Sequence, residues 1–158
     1  MEKELLNLFE GNSELFITTS LTGEVDERGK HVARTLTLHD PVTLKLWKDH
    51  LEGVQRIGIK PENGDVVKWG CIDIDPQSYT GFSEKKIVDI IRENNLPLIA
   101  VRSKSGGLHL FLFLKDWAPV KDLLKKLNEW NNNFFQSLEV FPMNKCMNMP
   151  YFNMDATT

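Results

Sequence analysis

Cysteine is nearly missing from this chain: Cys71 and Cys146 are the only two, far apart and without the paired spacing of a zinc site. No disulfide framework can be built on them, which fits a reducing setting and makes the cytoplasm the expected location. Long apolar runs are absent too. Nothing approaches 18 consecutive apolar residues, so no membrane partner is expected. The N-terminal MEKELLNLFE carries acids and no apolar stretch of the secretory type. Repeats and low-complexity segments are lacking. So is a large basic excess, since the net charge is -3, a weak argument against a nucleic-acid partner. The charge is uneven, however. Residues 1–100 hold 12 Lys and Arg against 17 Asp and Glu, whereas residues 101–150 hold 7 against 4.

The remaining composition is that of an ordinary globular chain, 41% hydrophobic and 26% charged over 158 residues, enough for one domain with a real core. Residues 2–10 suggest a short helix with Leu5, Leu6 and Phe9 on one side. Strands are expected at 15–20 and 34–38 around a polar connection. Asp40 before Pro41 suggests a helix start, and Gly53 its end. Two further strands flank Pro61-Glu62-Asn63-Gly64, a turn signal. From residue 65 the pattern is more regular: a strand to Asp75, a helix from about 83 to 95 capped by Ser83, a strand after Pro97, a second strand at 108–114, a helix from Pro119, and a strand in Leu138-Glu139-Val140-Phe141. This β-α-β-β-α-β order predicts an α+β protein with a split βαβ sheet of RRM type over 65–158, preceded by a smaller α/β unit over 1–64.

Alternation assigns faces. Ile72 and Ile74 oppose Asp73 and Asp75; Leu108, Leu110, Leu112 and Leu114 oppose His109, Phe111 and Phe113; Leu138 and Val140 oppose Glu139 and Phe141. The aliphatic faces suit the two helices. The opposite faces are expected to gather Asp73, Asp75, His109 and Glu139 on an open sheet, in a register that a one-residue slip would destroy.

Two aspartates at i and i+2 stand about 7 Å apart on one face of a strand. Three carboxylates are oxygen donors and suit Mg²⁺ or Mn²⁺ better than zinc. Bare carboxylates at about 4 Å repel by about 4 kcal/mol at an effective dielectric of about 20, so such a cluster favours a cation. A pair of metals could then activate a 3′-hydroxyl and stabilise a departing pyrophosphate. The run Arg102-Ser103-Lys104-Ser105-Gly106-Gly107-Leu108-His109 suggests a phosphate-binding turn: glycine amides, hydroxyls and cations, with His109 emerging beside them. Trp47, Trp117 and Trp130 read as packing residues, and His31, His39 and His50 as ordinary polar ones.

Taken in order, Gly70-Cys71-Ile72-Asp73-Ile74-Asp75, Ser105-Gly106-Gly107-Leu108-His109 and Glu139 in LEVFP resemble the three motifs of the archaeo-eukaryotic primase superfamily, particularly the primase-polymerases of phages and mobile elements. The segment NMPYFN (148–153) also resembles the loop that follows in phage members. The likeness spans roughly residues 40–155. It implies metal binding by Asp73, Asp75 and Glu139, and phosphate binding by His109 and the 103–107 turn. It implies DNA primase or polymerase activity on nucleoside triphosphates and a single-stranded DNA template, with a helicase supplying unwinding, in a host cytoplasm if the chain is phage-encoded. Two departures stand out. Glycine occupies the first apolar slot at Gly70, and Met143-Asn144 replaces the usual basic or amide pair, leaving Lys145 as the nearest cation. The ending Asp155-Ala156-Thr157-Thr158, where larger members continue, suggests a core from a longer protein. The competing expectation is a non-catalytic RRM-like module that binds single-stranded nucleic acid by stacking bases on Phe111 and Phe113. A metal nuclease leaves the glycine-histidine turn without a role.

Overall fold

The computed structural model describes residues 1–154. Residues 155–158, on which the expectation of a longer protein rests, lie outside the described residues. Helix α1 (Glu2–Leu8) leads to the hairpin β1 (Phe16–Val25) and β2 (His31–Leu38), then α2 (Leu44–Leu51) and β3 (Arg56–Ile59). After them come β4 (Val66–Ile74), α3 (Glu84–Glu93), β5 (Ile99–Arg102), β6 (Leu108–Pro119), α4 (Val120–Trp130), β7 (Glu139–Phe141) and β8 (Met147–Asn148). The class is α+β, with two four-stranded sheets ordered β2-β1-β3-β8 and β5-β6-β4-β7. All strand pairings are antiparallel. Among the described residues no helix is long and apolar enough to cross a membrane.

In the second sheet β6 separates β4 from β5, the split arrangement that the element order predicts. Its aliphatic face carries both helices: Ile72, Ile74, Leu108, Leu110 and Leu112 pack with Ile87 and Ile91 of α3 and with Leu123 and Leu127 of α4. Each fully buried aliphatic side chain contributes about 1.5–3 kcal/mol. A one-residue slip of β4 would exchange Ile72 and Ile74 for Asp73 and Asp75 in that layer, adding an unpaired charge to the lost burial. Register is therefore held strongly. Leu138 departs from the expected pattern: it precedes β7, lies outside the sheet and is 77% exposed.

Gly70 explains itself in this layer. A Cβ there would meet Leu123 Cδ2 at 2.5 Å and Leu127 Cδ1 at 2.8 Å, so the space beside this strand position is filled from α4.

The opposite face of the sheet is not open along its length. Trp69, Cys71, Val101, Phe111 and Phe141 are buried against Leu5, Phe9, Trp47, Ile57 and Met147. Phe9 is the central contact, edge-on to Trp69, Phe111 and Phe113 at 5.2–5.4 Å. The helices of this half have ordinary local causes, with one correction. Helix α2 is capped by Thr43, whose Oγ1 accepts from the Leu46 amide at 3.3 Å, and not by Asp40. Thr43 holds the extended backbone that a cap requires, so the helix starts later than Pro41 suggests. Ser83 caps α3 as expected. The chain crosses back near its end, where β8 pairs with β3 through Gly58–Asn148 and Ile59–Met147.

Candidate active site

On β4 and β6 the cover over the second sheet stops at Cys71 and Phe111, and the next positions on the same face are Asp73 and His109. Central strand β4 places Asp73 directly between His109 on β6 and Glu139 on β7. His109 Nε2 stands 3.4 Å from Asp73 Oδ1, and Lys145 Nζ 3.1 Å from Glu139 Oε1. Burial raises the Asp73 pKa, but the hydrogen bond and charge of His109, contact with Glu139 and the charge of Lys145 outweigh it, holding the carboxyl below its ordinary range. Two residues earlier, burial and the Asp73 charge push the Cys71 thiol well up, so it is a core residue and not a nucleophile.

Asp73 and Glu139 stand between two cavities. The larger, of about 520 Å³, is walled by His109, Lys104 and Lys145, and by Lys30 and Arg56 from the N-terminal half. The smaller, of about 190 Å³, is lined by Asp73, Asp75, Ser78, Tyr79, Ser137 and Glu139. The first is the size that a whole small ligand needs, and the second takes only a piece of one.

The 103–107 turn borders the larger cavity, with internal bonding that assigns its residues different tasks. Gly106 donates to the Ser103 carbonyl at 3.1 Å, and Gly107 to Ser103 Oγ at 3.1 Å. The glycine amides are thus used within the turn and do not face a ligand. Their value is conformational: Gly106 has φ +85°, and a Cβ on Gly107 would collide with the Ile74 carbonyl. Among the described residues the turn's internal bonds leave the amides of Lys104 and Ser105 and the Lys104 ammonium unused, while the Ser105 hydroxyl shares a hydrogen bond with Ser103 Oγ at 3.2 Å. Arg102 borders the larger cavity too, but its guanidinium is already engaged. It pairs with Leu108, on the helix-bearing face, and its Nε donates to both carboxylate oxygens of Glu84 at 3.0 Å. It braces the turn against α3.

The carboxylates fit Mg²⁺ or Mn²⁺ in kind. Asp73 and Glu139 are in contact, an arrangement that a shared cation favours. Asp75 lines the same small cavity, but its Oδ1 accepts from the Gln77 amide at 3.0 Å. Among the described residues no group of three His, Cys, Asp or Glu is arranged to hold an ion as the side chains lie. Magnesium is commonly held by one or two carboxylates, with substrate phosphates and water completing its shell, so a closed protein cage is not required.

Several residues that build the site escaped sequence reasoning. Buried Asn131, in the wide helical turn after α4, clamps the strand entry: its Oδ1 accepts from the Ser137 amide at 2.8 Å and its Nδ2 donates to the Ser137 carbonyl at 3.2 Å. Buried Glu62 accepts from the Asn144 amide at 2.7 Å, fixing the loop that carries Lys145. Buried His50 accepts from the Ile57 amide at 3.2 Å and meets the Pro150 carbonyl through Nε2 at 2.8 Å, anchoring the cavity wall at 147–150. These pairs join residues 6 to 100 positions apart, and no local motif marks them. No family model matches the sequence, and no curated protein is found to be similar to it.

Proposed function

We propose that the chain is a metal-dependent nucleotidyltransferase of the primase-polymerase kind, joining nucleotides on a single-stranded DNA template. The observation that carries this reading is the Asp73–Glu139 pair standing between a nucleotide-sized, cation-walled cavity and a smaller one. Two cavities meeting at two carboxylates suit a reaction between two substrates. The triphosphate would occupy the larger, facing Lys104, Ser105 and His109, while the 3′-hydroxyl of the growing strand would enter from the smaller. The hydroxyl oxygen forms a bond to the α-phosphorus, the bond from that phosphorus to the pyrophosphate oxygen breaks, and the hydroxyl proton passes to the carboxylate side. Asp73 and Glu139, joined by Asp75 if it turns from Gln77, would hold Mg²⁺ or Mn²⁺. The metal would supply charge stabilisation to the attacking and departing oxygens. His109, held by Asp73, keeps its ring at the cavity wall where phosphate charge collects. A helicase would be the partner supplying unwound template.

The alternative binding module is less well supported. Phe111 is fully buried under Phe9, and Phe113 packs on the same ring, so neither of these two rings is open for base stacking. Two carboxylates on the contact face would also repel a phosphate backbone. The test is incorporation of labelled nucleotide on a primed single-stranded template with Mn²⁺, comparing the native chain with Asp73→Ala. The reading expects incorporation by the native chain and a loss of at least about 10²-fold in the variant. A native chain that neither incorporates nor binds nucleotide with Mn²⁺ overturns it.

A further inference from the structure

The longest unpacked feature of the molecule is the outer half of the β1–β2 hairpin. Strand β3 pairs with β1 only through Ile17, Thr18 and Thr19, so beyond Thr19 the hairpin has no third strand. Residues 20–31 are all exposed. Such an arm has no core to serve, yet its tip is tightly built. Asp26 Oδ1 accepts from the amides of Arg28 and Lys30, both at 2.9 Å, and the Asp26 amide donates to the Lys30 carbonyl at 2.8 Å. This turn fixes the backbone of Lys30, and Lys30 lines the larger cavity.

Besides Arg102 and Lys145, which are paired with Glu84 and Glu139, two other cations line it from separate elements: Arg56 at the start of β3 and Lys104 in the 103–107 turn. Among the described residues no carboxylate forms an ion pair with any of the three. The Arg56 guanidinium rests on the Phe152 ring at 4.4 Å. Lys104 feels the crowding: partial burial first, then Arg56 and Lys30, hold its pKa below the ordinary lysine value. Three like charges gathered on one wall are unfavourable until an anion of several charges joins them.

We propose that the arm is a phosphate clasp, in which Lys30 joins Arg56 and Lys104 to close the larger cavity around the terminal phosphates of a nucleoside triphosphate. This inference rests on the nucleotide reading of that cavity. The direction follows from chemistry. The α-phosphorus must lie at the carboxylates, so the β- and γ-phosphates extend toward the walls away from them, where the unpaired cations stand. The clasp makes the N-terminal half part of substrate binding, not only a cover for the sheet.

The test measures the affinity of Mn²⁺–dATP by calorimetry for the native chain, Lys30→Ala, Arg28→Ala, and a shortened arm in which an Asn-Gly turn joins the paired residues Leu21 and Ala33. Arg28 sits on the same tip but does not line the cavity, so it controls for net charge. Lys30→Ala and the shortened arm should weaken binding about three- to tenfold, with Arg28→Ala within about twofold of native. Equal effects of Lys30→Ala and Arg28→Ala overturn the clasp, as does a Lys30→Ala effect confined to binding of a single-stranded oligonucleotide. If the native chain binds no triphosphate, clasp and nucleotide reading fall together. If binding depends on Lys30 but no nucleotide is ever incorporated, the clasp stands and the transferase reading alone falls.

Discussion

His50 should give the fold a specific pH dependence. Its Nδ1 accepts the Ile57 amide, so that nitrogen has no room for a proton, while Nε2–H donates to the Pro150 carbonyl. Burial lowers the His50 pKa from its ordinary 6.5; the Pro150 carbonyl opposes this, and the Arg56 charge adds to it. Above about pH 6.5 the ring is neutral in both folded and unfolded chains, and the group adds no slope. Below that, the unfolded chain binds a proton that the folded one refuses, so stability falls as pH falls. The fall levels off once the folded-state pKa is passed. From the unfolded value alone, the loss from this group is at most about 1.4 kcal/mol at pH 5.5. Urea denaturation between pH 7.5 and 5.5 would measure it, a window above most carboxylate titrations. His50→Gln keeps a neutral donor and acceptor but cannot titrate. It should cost about 1–3 kcal/mol at pH 7.5 through imperfect bonds to Ile57 and Pro150, and should flatten the slope. A native chain and variant with equal slopes would refute the argument.

Other consequences are local. Gly70→Val should cost about 1–3 kcal/mol in urea denaturation by driving methyl groups into Leu123 and Leu127, and an unchanged midpoint would mean that α4 yields freely. Asn131→Ala leaves the Ser137 amide and carbonyl unpaired next to Glu139. It should destabilise by about 1–3 kcal/mol and lower kcat of incorporation more than it changes nucleotide KM, whereas a pure KM effect would place its role elsewhere.

Which features could be read from the chain follows from how each is encoded. Strict alternation at 69–75 and 108–114 placed Asp73 and His109 on one face, because only one register buries Ile72, Ile74, Leu108 and Leu110 together, and the shorter pattern at 139–141 added Glu139. The same alternation also bears on the cover of the sheet. A face carrying Trp69, Cys71, Phe111 and Phe113 beside its charges is too apolar to stay open, and α1 and α2 cover it. Parity also decides Arg102. Val101 is the residue opposite His109, so Arg102 starts from the other face, where Glu84 takes its Nε, and its long side chain also borders the larger cavity. His50, Glu62 and Asn131 had no such signal. Each is a polar residue in an unremarkable local context, and only contacts across the fold make it structural. Trp117, expected to pack, is 36% exposed with Lys68 lying 5.8 Å from its ring.

The carboxylates of the site are already paired while its outer cations are not, and that constrains its ligand. Asp73 is answered by His109 and Glu139 by Lys145, so neither carboxylate is bare. A purely anionic ligand would compete with these carboxylates for His109 and Lys145 and leave Asp73 and Glu139 uncompensated beside it. A purely cationic one would displace those partners and gain little from Lys30, Arg56 and Lys104. Only a ligand carrying both signs, phosphates with an accompanying divalent cation, satisfies every group at once. It meets the carboxylates with positive charge, frees His109 and Lys145 to face phosphate oxygens, and neutralises the unpaired cationic wall. The metal–triphosphate complex of the proposed reaction has that distribution, so on that reading the acidic pair and the basic wall serve one substrate and not two separate sites.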